Sequence, residues 1–333
     1  MTRRPFCSTF AERVVRGALV VLAVSLGLAL APRVAHAQAC CATPSAFAPA
    51  RLRTGEKALV GLVLGGSGVT GSFGADRSFA TTSSTEVDLS QRLFLGWAPW
   101  TRGELSLTLP FVETIRRSGG TSEASGGVSD ARLTSRIHLI DAGQDRVVPG
   151  IQILTGLTLP TGVPADRARL PLATDATGTG AFQLDGGVAL EQTFGRFLVN
   201  LTGTVAWRAA RSAGRSTTQL GPLFSVFGAA SYTFPNALSL AVSLAYEASL
   251  DSRVDGVEQS DSGTAKTTIG VAGSLPIARG VRLTAGLSWT PHVTGLGKNE
   301  LATFGGSLGI VYAWGGPRSC PMHPGQSSCG CPE

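Results

Sequence analysis

Apolar and polar residues alternate along twelve stretches between positions 57 and 314, and the links between the stretches are by turns long and short. Alternation with a period of two is the pattern of a β-strand, whose successive side chains point to opposite faces. From Phe197 to Arg208 one face reads Phe197, Val199, Leu201, Gly203, Val205 and Trp207, and the other Leu198, Asn200, Thr202, Thr204, Ala206 and Arg208. The first face suits lipid and the second suits water. The stretches from Leu238 to Glu247 and from Val281 to Thr290 divide in the same way. Strands are predicted to begin near Lys57, Thr85, Gly103, Val128, Val148, Gly180, Arg196, Leu220, Ala237, Thr264, Val281 and Leu301.

Short links rich in turn residues fall at 99–102, 141–145, 194–195, 235–236 and 278–280. Long polar links fall at 67–84, 114–127, 161–179, 210–219, 251–263 and 291–300. An up-and-down membrane barrel sorts its connections this way, with tight turns on the periplasmic side and longer loops outside. The fold class predicted is therefore all-β: a transmembrane up-and-down antiparallel β-barrel of about twelve strands over residues 56–314. It would sit in the outer membrane of a Gram-negative bacterium with both termini periplasmic. The run Gly65-Gly66-Ser67-Gly68 lacks the lysine of a phosphate-binding loop and is predicted to open a flexible outer loop.

Composition supports the barrel. Only 15% of the 333 residues are charged, yet after the first forty positions no apolar run reaches the roughly 18 residues of a membrane helix. Interleaving lipid-facing and polar residues reconciles the two. The 43 glycines suit a lumen and the bending of strands. Residues 1–37 read as an export signal: Arg3, Arg4, Arg13 and Arg16 precede an apolar run at 17–31, with small residues at Ala35-His36-Ala37 or Ala37-Gln38-Ala39, so cleavage is predicted after 37 or 39. Acylation at Cys40 is an alternative, although the leucine usual three residues earlier is absent. Removing the signal lowers Lys+Arg from 28 to 23 and Asp+Glu from 22 to 21, and so the net charge from +6 to +2. The basic balance lies mostly in the signal and gives no argument for a nucleic-acid partner.

What remains divides into a periplasmic lead at 38–55 that carries a cysteine pair, the barrel at 56–314, and a periplasmic tail at 315–333. The last strand, Ser307 to Trp314, alternates toward aromatic residues, with Gly309, Tyr312 and Trp314 where an assembly signal for the barrel-assembly machinery would lie. Trp97 and Trp100 join Tyr312 and Trp314 as an expected aromatic belt on the periplasmic side.

Three phrases carry a family resemblance: Ser125-Gly126-Gly127-Val128-Ser129-Asp130 opening a strand, Leu159-Pro160-Thr161-Gly162 closing one, and Gly178-Thr179-Gly180 before the next. Their placement resembles the outer-membrane barrel family of phenol-degradation (meta-pathway) gene neighbourhoods, described as transporters. The resemblance implies a small-molecule channel or uptake porin.

Candidate function lies first in charges on the inner face, because a charge facing lipid costs about 2–4 kcal/mol for Arg or Lys at mid-bilayer. Strand phase turns Asp88, Arg92, Glu104, Arg132, Arg136, His138, Asp185, Glu191, Arg208, Glu247, Lys266 and Arg282 inward. They form either a selectivity wall for solutes or a salt-bridged filling. Sulfur is the second candidate. Cys40 and Cys41 in the lead and Cys320, Met322, His323, Cys329 and Cys331 in the tail are soft donors that favour Cu(I) or Zn(II). Cys320-Pro321-Met322-His323-Pro324 is similar to the core of a heavy-metal-binding motif, and disulfides are the competing use of the cysteines in an oxidising compartment. No other cofactor is expected. Catalysis is not expected: His138 and His292 are the histidines between signal and tail, and no serine motif accompanies either. The sequence therefore favours a passive channel, with a membrane-anchored metal-binding protein and a poreless structural barrel as alternatives.

Overall fold

A computed structural model describes residues 51–315 apart from 54, 83, 144, 146 and 215. Twelve antiparallel strands, each paired with its neighbours in sequence, close into a barrel: β1 Ala58–Phe73, β2 Thr85–Trp100, β3 Gly103–Ser118, β4 Ala131–Ile140, β5 Gly150–Leu159, β6 Gln183–Phe194, β7 Phe197–Arg208, β8 Leu223–Thr233, β9 Ser239–Ser249, β10 Ala265–Ala278, β11 Val281–Trp289 and β12 Glu300–Trp314. Closure is made by β12 against β1, with a register from Ala58 opposite Trp314 to Phe73 opposite Glu300. The predicted all-β barrel and the start of each strand agree with this architecture.

Burial is inside-out, as an apolar solvent demands. On β9, Leu240, Val242, Leu244 and Tyr246 stand exposed on the outer surface, while Ser239, Ala241 and Ser243 are buried on the inner one. An arginine at Val242, which is 56% exposed, is expected to lower the stability of the membrane-inserted barrel by about 2–4 kcal/mol. Urea unfolding in lipid vesicles measures that loss, and an arginine at Ala245 on the inner face is the contrasting control.

Several connections are more regular than their polar sequences suggest. The Gly65-Gly66-Ser67-Gly68 run is not the start of a loop. It lies within the 16-residue β1 and pairs with both β2 and β12, so the first link begins only at Gly74. Residues 114–127, expected as a loop, continue β3 to Ser118 and return through a strand at Thr121–Val128. Residues 210–219 and 251–263 likewise form hairpins, Arg211–Ala213 with Ser216–Gln219 and Arg253–Val254 with Val257–Glu258, and the two hairpins join in a four-stranded sheet. Strands of 16 residues outrun the 9–11 needed to cross a bilayer. Their outer ends lose the lipid-facing alternation and read as polar loop.

Between the strand at Thr121–Val128 and β4 the chain breaks pairing at Ser129 and Asp130. Pro110 on β3 sits at this junction. It has no backbone N–H to give a ladder, and its carbonyl accepts the Ser129 N–H at 2.8 Å. The break frees Asp130 to point away from the sheet.

Trp97, Trp100, Tyr312 and Trp314 are exposed at the end of the barrel where the short turns lie, and the Tyr312 and Trp314 rings are 5.8 Å apart. Phe197 and Tyr232 add a second aromatic pair at that end, with ring centroids 4.7 Å apart. Gly309 faces inward, where a Cβ would come within 2.8 Å of Val63 and 2.6 Å of Thr284 Oγ1.

Candidate functional site

The lumen holds the predicted inward charges, and most are engaged. Arg132 on β4 meets Asp185 on β6 at 2.7 Å, across the intervening β5. Gly156 makes this span possible, since a Cβ there would stand 2.8 Å from the Asp185 carboxyl carbon. Glu104 accepts from His138 Nε2 at 3.1 Å, and His138 Nδ1 lies 3.7 Å from Asp141. Arg136 donates to Gln152 Oε1 at 2.7 Å, Gln152 Nε2 donates to Glu191 at 2.8 Å, and Asn200 donates to the other Glu191 oxygen at 3.0 Å. A polar belt thus runs from β3 to β7 near the short-turn end. Arg208 donates to the Gly221 carbonyl, and Glu247 and Lys266 face each other in register on β9 and β10. His292 lies outside the lumen network: its Nε2 is 2.7 Å from Thr70 Oγ1 and its ring stacks on Phe79 at 4.5 Å.

Two plugs bound the lumen; the sequence leaves open whether the loop at 161–179 folds inward and gives no sign of the other. At the short-turn mouth, residues 51–53 and 55–57 lie across the opening, so the last part of the expected periplasmic lead belongs to the barrel. Arg51 forms an ion pair with both oxygens of Glu191, a residue only 1% exposed. Arg282 on β11 pairs with Glu56 at 2.7 Å. Leu52 packs among Leu59, Val63, Phe94, Val311 and Ala313, a cluster on the inner face of β1, β2 and β12. The lumen wall is therefore apolar at this spot, where strand phase alone suggested water. Residues 1–50 and 316–333 lie outside the described residues, and with them the signal and the candidate metal ligands Cys40, Cys41, Cys320, Met322, His323, Cys329 and Cys331.

At the long-loop mouth, the connection between β5 and β6 folds inward, and the three phrases that carry the family resemblance meet there. The Asp130 carboxylate accepts the Gly162 N–H at 2.9 Å, the Thr179 N–H at 2.6 Å and the Thr179 hydroxyl at 2.8 Å. Thr161 Oγ1 donates to the Ser129 carbonyl at 2.6 Å, and Thr177 Oγ1 to that of Val128 at 2.8 Å. Gly162 and Gly178 touch backbone to backbone: a Cβ on Gly162 would lie 2.7 Å from the Gly178 Cα. The glycines and threonines of the phrases are thus the parts of one knot tied by Asp130. Farther along the loop, Arg116 bonds the Leu172 carbonyl while pairing with Glu86 at 2.7 Å, and Glu123 accepts the Leu172 N–H at 2.9 Å. The loop is also tied to the Arg211 hairpin. Its hydrogen bond from Arg211 holds the Asp166 carboxyl below the usual carboxylate range. That tie is present at neutral pH and is lost only as pH falls through the depressed value.

Between the plugs lies a cavity of about 660 Å³. Glu86, Asp88, Arg92, Arg116 and Glu247 face it, with Ala176 and Thr177 of the inward loop. The wall built by β1, β11 and β12 is of Gly65, Ser67, Gly286, Ser288, Gly305 and Ser307, whose small side chains leave the space open. This is the dimension of a site for one small solute.

No protein-family model matches this sequence, and no curated protein matches it. Among solved structures, the fold is similar to that of an outer-membrane channel from Pseudomonas putida F1, with a TM-score of 0.67 and 17% identity over 82% of this chain and 99% of that one. Weaker likenesses are to the translocator domain of the autotransporter NalP from Neisseria meningitidis, at a TM-score of 0.42 and 12% identity over 92% of this chain and 98% of the other, and to the KdgM porin, at 0.42 and 9% over 76% and 99%. The first of these likenesses shows the fold that the two chains share, a closed β-barrel.

Proposed function

We propose that this protein is an outer-membrane channel for passive passage or uptake of small solutes, with the short turns and both termini on the periplasmic side. One observation carries the reading. A closed barrel with an apolar exterior holds a cavity of about 660 Å³, faced by the charged Glu86, Asp88, Arg92, Arg116 and Glu247, that a structural anchor has no need to keep open. The three phrases that resemble those of the phenol-degradation barrels hold the loop that narrows this path. Outer-membrane lipid surrounds the barrel, and the aromatic end of β12 is the segment the barrel-assembly machinery would engage.

Reconstitution of the mature protein in planar bilayers tests the channel. Discrete current steps are expected, and their absence over repeated insertions would sink the reading. Within it, Arg132, Arg136, Glu104, Asp185, Glu247 and Arg282 shape selectivity. Replacing Arg132 and Arg136 together by glutamine is expected to move the zero-current potential in a KCl gradient toward cation preference. An unchanged potential would remove these two from the selectivity wall.

The tail supports a second role. Its cysteine, methionine and histidine donors suit Cu(I) or Zn(II), so titration of the full-length protein with Cu(I) under reducing conditions distinguishes a metal-handling tail from cysteines used in disulfides.

A further inference from the structure

We propose that Arg92 makes the lumen cavity a binding site for small organic anions, carboxylates above all. This deepens the channel reading and rests on it. Arg92 differs from the other arginines of the lumen. Arg51, Arg116, Arg132 and Arg282 each pair with a carboxylate, Arg136 donates to Gln152 and Arg208 to a carbonyl. Arg92 faces the cavity; its Nε, like those of Arg51, Arg132 and Arg282, is buried without a hydrogen-bond partner, but among the described residues no carboxylate pairs with it, and this sets it apart.

Its surroundings explain why. In register with Arg92 stand Val63 on β1 and Pro110 on β3, neither with a side-chain acceptor, and the Pro110 carbonyl is occupied by Ser129. The carboxylates that share the cavity have other duties. Glu86 is held by Arg116, Asp88 accepts the Thr114 hydroxyl at 2.7 Å, and Glu247 lies opposite Lys266. A guanidinium keeps its charge at any physiological pH and offers a planar fork that matches a carboxylate. The counter-ion that the protein does not supply is left for a solute to supply. Beside Arg92, the glycine and serine wall of β1, β11 and β12 leaves room for the body of that solute, and Phe227 gives the cavity an apolar surface for it.

Butyrate is the probe, with butanol as its neutral counterpart and choline as a cation, added to single channels of the full mature protein. Butyrate is expected to interrupt the current where butanol and choline do not. Arg92→Gln is expected to raise the butyrate concentration required by about tenfold or more, the effect of losing a charge-assisted pair, with Arg92→Lys in between. Equal block of wild type and Arg92→Gln, or equal block by butanol, overturns the anion site while leaving the channel intact. If the wild type carries no current, the channel reading fails on its own. The site is then decided by saturation-transfer NMR of butyrate on the folded protein in micelles, where a signal lost in Arg92→Gln supports it and a signal unchanged in Arg92→Gln, or none at all, refutes it.

Discussion

Asp130→Ala is expected to give larger single-channel currents than the wild type, by several-fold, because the inward loop loses the acceptor that ties it. Three donors converge on that carboxylate, two of them backbone N–H groups that fix the position of Gly162 and Thr179. Hydrogen bonds to a charged acceptor contribute about 1.5–3 kcal/mol each. Losing the set is enough to turn a loop held inside the mouth into one that spends most of its time outside. Thr161 on Ser129 and Thr177 on Val128 remain at the knot as single neutral hydrogen bonds, while Arg116 and Glu123 on Leu172 and Arg211 on Asp166 hold the far part of the loop. Trypsin gives an independent reading, since Arg167 and Arg169 lie on this loop. Cleavage there should accelerate in Asp130→Ala and much less in Asp130→Asn, which keeps one acceptor oxygen. Wild-type conductance together with wild-type cleavage would show that the loop is held by other contacts.

Arg51→Ala acts at the opposite mouth and is expected both to destabilise the barrel and to widen it. Glu191 would keep Gln152 and Asn200 but lose the cation that bonds it directly, leaving Arg136 acting on it through Gln152. Breaking one side of a buried pair costs about 3–5 kcal/mol, because the remaining charge is left in a poor solvent. The segment from Arg51 to Lys57 would then be held at this mouth by Leu52 in its apolar cluster and by Glu56 on Arg282. Urea unfolding in lipid vesicles should show the loss of stability, and the open-state current should rise. In the double variant Arg51→Ala with Glu191→Gln, the cost should be smaller than the sum of the two singles, because the uncompensated carboxylate is gone. Strict additivity would mean that the pair carries no coupling. If Arg51→Ala alone leaves both current and unfolding unchanged, the lead is not a plug.

The barrel was legible in the sequence because a bilayer imposes one rule on every strand. Val199, Leu201 and Val205 must face lipid, so Asn200, Thr202 and Thr204 declare the lumen, and the inward set from Asp88 to Arg282 follows from phase alone. Both plugs escaped because they obey no such period. Arg51, Leu52 and Glu56 form no strand in which to read a face, and their partners Glu191, Val311 and Arg282 are remote in the chain. The knot left a trace in the glycine, threonine and aspartate phrases at 125–130, 159–162 and 178–180, which were recognisable as a resemblance. That they touch one another is a fact of the third dimension. The hairpins beyond the membrane were hidden by the end of the lipid constraint, since outside the bilayer a polar strand and a polar loop have similar composition.

The glycine and serine run on β1 has a mechanical consequence. Gly65, Gly66 and Ser67 pair with Ser307, Gly306 and Gly305 on β12, so along this stretch the seam of the barrel is held almost wholly by its backbone ladder. Cross-strand side-chain pairs, which stiffen the other junctions, contribute little there. The seam also joins the first strand to the last, the pairing that must wait for the whole chain and closes the longest loop. The barrel therefore closes along a line whose middle is bare backbone, flanked toward the short turns by side-chain pairs such as Leu62 with Ile310 and Leu64 with Leu308.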